Sequence, residues 1–257
     1  MQIKARSGIK VGDIQREAHM AFCMSIIHEE SQKYEHSIKF LKRLYFCAKL
    51  LDDIEGAEIA INRIGLCYFM QGDFQKSLNF HQKHIELLNQ KHEERPFGKA
   101  ISLYNQALCY RQMHIQDMKM NHPREGLIEK SLDLLATSLE VSKSVEDHEH
   151  IVLALGQIGI LYMIKGTQIH DLNQAEIFLK DAHSKLTSNI QVEIQTKSKR
   201  SKSPQGKISK KEAEIFSPRK YAKSLLNNVT VKNQRIILDC IICLAYIYFD
   251  WHEWTDS

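Results

Sequence analysis

The 257-residue chain is poor in the residues that interrupt helices, with 11 glycines and 4 prolines. So few turn formers argue against a many-stranded sandwich and favour helices. It also lacks the roughly 18 uninterrupted apolar residues that a membrane helix needs. Its most apolar stretch, Ile236 to Phe249, is broken by Asp239 and is too short to span. The opening Met1-Gln-Ile-Lys-Ala-Arg-Ser has no apolar centre of a secretory signal. A soluble, intracellular, cytoplasmic protein is therefore expected, in which the match Asn228-Val-Thr230 to a glycosylation acceptor is chance. Charge of one sign is scarce as well: the net charge is +4 and the pI about 8.6, too mild for a dedicated nucleic-acid binder.

Catalytic patterns are missing too. No phosphate-cradling glycine loop, H-E-x-x-H or G-x-S-x-G occurs, so no enzyme activity, cofactor or metal is expected. Cys240-Ile-Ile-Cys243 has the spacing of a metal or redox pair, but it lies in an apolar helix with no second pair, and a structural zinc needs four ligands. His81 and His84 could be ligands one helical turn apart, yet both fall at packing positions of the repeat described below. His148-Glu-His150 reads as a solvated helix junction.

What is present is ample material for a core: 43% of residues are apolar and 26% charged. This is the composition of one large globular domain or two small ones, and it excludes wholesale disorder, collagen-like repeats and a disulfide miniprotein. The cysteines (Cys23, Cys47, Cys67, Cys109, Cys240 and Cys243) lie mostly in apolar runs, as buried thiols in a reducing compartment would.

An internal repeat decides the fold. In the segment Glu58 to Leu88, Ile61, Ile64, Gly65 and Tyr68 fall on one helical face. A tight turn at Gln71-Gly72-Asp73 leads to a second stripe of Phe74, Ser77 and His81. Gly65 and Ser77 are small where two helices must approach closely. A weaker copy, Phe22 to Phe40, places Ser25 40 residues before Gly65. Leu103 to Tyr110 places Ala107 42 residues after Gly65 and repeats the triplet Leu-Cys-Tyr. Leu155 to Tyr162 carries Gly159, with its partner helix at Asn173 to Ala182. Leu244 to Tyr248 opens a fifth copy.

This pattern resembles the tetratricopeptide repeat (TPR) family, whose unit has a large residue, Leu-Gly, Tyr, Gly-Asp-Tyr/Phe, a small residue and an aromatic. The resemblance implies an all-α, right-handed superhelix of helix-turn-helix units. Repeats one to four would occupy 14–186, a disordered basic Ser/Lys-rich insertion 187–220, and an incomplete fifth repeat 221–257. The period of 40 exceeds the family's usual 34 and implies longer helices. Such helices occur in the Partner-of-Inscuteable (LGN) type of adaptor and in ciliary TPR proteins. Phe80-His-Gln-Lys-His84-Ile and Asp53-Ile-Glu-Gly56-Ala resemble motifs of that subclass.

Extra spacing at Gln112 to Gly126 reads either as a surface loop or helix extension, or as an adaptable contact surface of Met113, Ile115, Met118 and Met120. The segment Thr187 to Lys220, including Lys197-Ser-Lys-Arg200-Ser-Lys202, is too polar to offset chain ordering. It reads as a solvated loop, as a basic patch for an anionic partner, or as a phospho-regulated element. Ser203-Pro204 and Ser217-Pro218 resemble proline-directed phosphorylation sites.

In TPR stacks the first helix of each repeat lines a concave groove that receives a peptide. The resemblance places Ile59, Asn62, Arg63, Leu66 and Phe69 there from repeat two. Repeat three adds Tyr104, Asn105, Leu108, Arg111 and Gln112, and repeat four adds Gln157, Ile160 and Met163. Amides can pair with a peptide backbone, and Arg63 and Arg111 favour carboxylates, so the expected ligand is an acidic, Leu-containing segment of another protein. The carboxylate clamp of chaperone-binding TPR proteins is disfavoured, because Phe22, Cys23 and Ile26 stand at its places. The fifth copy stops at Ser257 within its second helix, so the sequence is expected to be a fragment, or its last face to be covered by another chain. The expected function is a non-catalytic protein-interaction scaffold, with a cytoskeletal or ciliary assembly implied by the subclass resemblance. The alternative is a regulatory protein that binds RNA or an anionic surface through its basic linker.

Overall fold

The computed structural model describes residues 11–90, 95–122, 124–164 and 167–185. The basic insertion at 187–220, with Ser203 and Ser217, the fifth repeat at 221–257 and the Cys240/Cys243 pair lie outside the described residues. The chain divides into two units between Val141 and Ser142.

All regular structure among the described residues is helical: α1 (Val11–Glu30), α2 (Tyr34–Leu50), α3 (Ile54–Met70), α4 (Phe74–Asn89), α5 (Pro96–Lys119), α6 (Leu127–Ser144), α7 (His148–Tyr162) and α8 (172–185). In the first unit each helix from α1 to α5 packs on the next, and α3 also touches α5. Contacts confined to near neighbours are the mark of a solenoid. The 40-residue period comes from helix length, since α2 and α3 have 17 residues and α4 has 16. The further spacing in the third pair is a helix extension, because α5 runs for 24 residues. Of its methionine cluster, Met113 is buried against Leu78, Cys109 and Leu127, while Met118 and Met120 are exposed.

One turn design recurs and explains how so little glycine suffices. After α1, α2, α3 and α6, a residue in the left-handed region ends the helix: Gln32, Asp52, Gly72 and Glu146. The next residue donates its N–H to the carbonyl five positions back, as in Lys33 to His28, Asp53 to Ala48, Asp73 to Tyr68 and Asp147 to Ser142. This satisfies carbonyls that the helix end would leave unpaired. In three of these turns that same residue is an Asp capping the next helix: Asp53 accepts from Gly56 N–H, Asp73 from Lys76 N–H and Asp147 from His150 N–H. Asp171 caps α8 through the N–H groups of Asn173 and Gln174. Each such cap stabilises its helix by about 1 kcal/mol. The Asp53-x-x-Gly56-Ala57 segment follows from this chemistry, because a Cβ on Gly56 would lie 2.5 Å from the capping carboxylate.

Within each pair, small residues bring the helices together: Ser25 with Ser37, Gly65 with Ser77, Ala107 with Ser131 and Gly159 with Ala175 are all buried. In the third pair the contact is direct, Ser131 Oγ donating to the Ala107 carbonyl at 2.8 Å. One turn beyond these positions an aromatic stack closes the pair: His28 on Phe40, Tyr68 on Phe80 and Tyr162 on Phe178. The repeated Leu-Cys-Tyr triplet links neighbouring repeats. Cys67 donates to Ser37 Oγ at 3.6 Å and Cys109 to Ser77 Oγ at 3.2 Å. Burial pushes both thiols up to about 11, so they are neutral packing groups and poor nucleophiles at neutral pH.

Candidate protein-interaction face

The first helices α3 and α5 and, in the second unit, α7 with its C-cap Met163 carry the residues that sequence reasoning assigned to a groove. Direct contact between α3 and α5 brings two of them together: Asn105 Nδ2 donates to Asn62 Oδ1 at 3.0 Å. This bond occupies one donor of Asn105 and one acceptor site of Asn62. An Asn62 amide donor and the Asn105 carbonyl oxygen are not used by it, and these are the complements of a peptide C=O and N–H. Leu66, one turn along α3 from Asn62, is 39% exposed, and Met70 a turn further is 61% exposed.

Arg63 is differently placed from the expectation of a free carboxylate receptor. Its guanidinium grips Glu29 at the end of α1 in a two-point ion pair, Nε to Oε1 at 3.2 Å and Nη2 to Oε2 at 2.5 Å. It also lies over the Phe22 ring, 5.7 Å from the centroid. Ser37 Oγ donates to the same Glu29 carboxylate at 3.0 Å. The protein thus supplies a carboxylate of its own, in the fork geometry that suits arginine. Sequence reasoning missed Glu29. The partners are 34 residues apart, and the only signal was the acidic pair Glu29-Glu30 at the end of a first helix.

Tyr104 and Arg111 on α5 are half-buried, and each already has an interaction partner. Gln157 on α7 is likewise half-buried and engaged; it belongs to the second unit. Phe69 packs against the core cluster of Leu78, Cys109, Met113 and Leu127, with its ring 5.1 Å from Phe74. Phe22 and Ile26 are buried. At the α7 junction, Asp147 caps the helix and meets the His150 ring at 2.7 Å. Burial raises the Asp147 carboxyl, but the His150 contact outweighs it and holds the group below its ordinary value. The His148–His150 segment is therefore a built helix cap. Among the described residues no group of three or more His, Cys, Asp or Glu side chains is placed to hold a metal ion. Among them, too, no helix is long and apolar enough to cross a membrane.

Comparison with known structures places the fold. The crystal structure of BtubC (BKLC) from P. vanneervenii is similar over 96% of this chain and 92% of that one, with a TM-score of 0.53 and 11% identity. The fold is a TPR-like helical solenoid. A putative kinesin light chain with nearly identical TPR-like repeats from Podosopora anserina matches over 93% of this chain and 98% of its own. Its TM-score of 0.44 at 12% identity is too low to add to the argument. No family model matches the sequence, and no curated protein matches it.

Proposed function

We propose that this chain is a non-catalytic scaffold that holds an extended segment of a partner protein along the face formed by α3 and α5. The observation that carries the reading is the Asn62–Asn105 amide pair beside the exposed Leu66. Backbone-pairing amides next to an apolar anchor point suit a peptide and offer no chemistry to a small substrate. The partner's anchor is a leucine-like side chain. An acidic residue in the partner reaches Arg63 only by competing with Glu29, so the ion pair works as an internal stand-in for the ligand. Tyr104 and Arg111 contribute to partner contacts in the same reading, and Gln157 is proposed as a partner contact of the second unit by itself. The assembly is cytoskeletal or ciliary, the setting that the resemblance of the Asp53–Ala57 and Phe80–Ile85 segments implies.

Affinity capture compared between the wild type, Asn62→Ala/Leu66→Asp and Glu29→Gln tests this. A set of proteins lost with the first variant and enriched with the second is expected. Capture unchanged by Asn62→Ala/Leu66→Asp, with both variants folded, contradicts the face. Enrichment absent from Glu29→Gln contradicts the acidic part of the ligand alone.

A further inference from the structure

The second helices of the four pairs carry an equivalent residue four positions after the small one: Leu41, His81, Leu135 and Leu179. All four side chains are fully buried, so the fold asks for leucine and the second repeat supplies an imidazole. Three residues later the series reads Leu44, His84, Ser138 and Ala182, again with histidine only in the second repeat. His81 is 0% and His84 3% exposed, and none of their four ring nitrogens has a hydrogen-bond partner. Buried nitrogens without partners are rare and call for a reason.

The rings sit at the joint where α4 meets both its neighbours. A Cβ on Gly65 of α3 would fall 2.7 Å from the His81 ring, and one on Gly98 of α5 3.8 Å from His84 Nε2. From α5, Ser102 Oγ and Gln106 Nε2 both donate to the His81 carbonyl. Among the described residues no carboxylate acts on either ring. Glu58 of α3 is committed to Arg95, just ahead of α5, at 3.1 Å, and the Cys67 and Cys109 thiols are neutral. Among the described residues the titratable group acting on His81 is His84, whose charge opposes protonation, and on His84 burial is what acts.

We propose that His81 and His84 make the second repeat an acid-sensitive joint, in which proton uptake by these buried, unpartnered rings detaches α4 from α3 and α5 and opens the solenoid there. Burial, with the charge of His84 added for His81, lowers the rings to about 3 and about 4, against about 6.5 in an unfolded chain. The open form therefore binds protons that the closed form refuses. The closed form is fully favoured above about pH 6.5 and loses ground as pH falls toward the lowered values. Between pH 7.5 and pH 5 each ring shifts the balance roughly 30-fold, and the two together approach about a thousandfold. The joint operates whatever the α3–α5 face binds.

Urea unfolding of the full chain from pH 7.5 to pH 5 tests this in the wild type, His81→Leu/His84→Ala and His81→Gln/His84→Gln, with exposed His122→Gln as control. The leucine and alanine are what other repeats carry at these places, and the glutamine pair keeps polarity while removing the proton site. Both double variants should lose about two protons' worth of pH dependence, and the control none. A slope shared by the wild type and either folded double variant overturns the joint. In the folded wild type, two histidine ring resonances should show no titration above pH 5. Ordinary titration of every histidine near 6.5 overturns it independently.

Discussion

Repeats two and four are built on the same contact and put different side chains into it. Gly65 meets His81 and Gly159 meets Leu179, in each case with 2.7 Å between a hypothetical Cβ and the opposing side chain. In repeat four the buried group is a leucine with nothing to satisfy, worth about 1.5–3 kcal/mol for its burial. In repeat two the same space holds a ring with two polar atoms that meet no partner, and unsatisfied buried groups cost about 1–3 kcal/mol. Packing shape alone thus accounts for the fold in both repeats. Chemistry at the packing position separates a permanent joint from a conditional one.

The exchange Leu179→His should have the largest effect. It removes an apolar contact and buries unpaired nitrogens, so chemical denaturation should show a loss of about 3–5 kcal/mol at pH 7.5. It should also add new acid sensitivity. A loss without added pH dependence would mean that packing alone is at stake. Gly65→Ala and Gly159→Ala come next, each losing about 1–3 kcal/mol by overpacking. Gly159→Ala should cost more, because its Cβ would also meet the Ala175 carbonyl at 3.2 Å and backbone yields less than a ring. Equal losses would remove that distinction.

Removing one cap, by Asp73→Ala or Asp147→Ala, should lower stability by about 1 kcal/mol in thermal unfolding. The smallest effect has the opposite sign. Gln32→Gly and Glu146→Gly relieve left-handed backbone at φ 56 and φ 54 and should raise stability by less than about 1 kcal/mol. Gly72→Ala, at φ 79, should lower it although nothing stands within 4 Å of the added Cβ. The cost there is conformational.

The intrahelical periodicity explains how much of this is legible from the sequence. Ile61, Ile64, Gly65 and Tyr68 lie on one strip of α3, so their shared face can be read directly, as can the facing Ser77 and His81. The Gln71-Gly72-Asp73 turn is recognisable because glycine marks it. Its equivalents at Gln32, Asp52 and Glu146 are not, since the left-handed position is held by residues that rarely adopt it. His28 completes the stack on Phe40 where other repeats use tyrosine, a substitution that a search for tyrosine passes over. The thiol–serine links and the Glu29–Arg63 pair join residues 30 to 34 positions apart. Their register depends on how successive helices stack, which local pattern does not encode. For the candidate face, spacing nominates Asn62 and Asn105 as neighbours in a groove, but only the fold pairs their amides and closes Arg63 on an internal carboxylate. Sequence also identifies His81 and His84 as packing residues. That their nitrogens are left without partners is a property of the assembled core.

The most direct measurement is residue-resolved amide hydrogen exchange at pH 7 and pH 5, expressed as protection factors so that the chemistry of exchange itself is removed. The amides of α4 around His81 and His84 should lose protection at pH 5, while those of α2 around Leu41 and Leu44 retain theirs. Equal loss in both helices, or none in either, would contradict the account: the second repeat would then behave like the first, and an imidazole at the leucine position would make no difference.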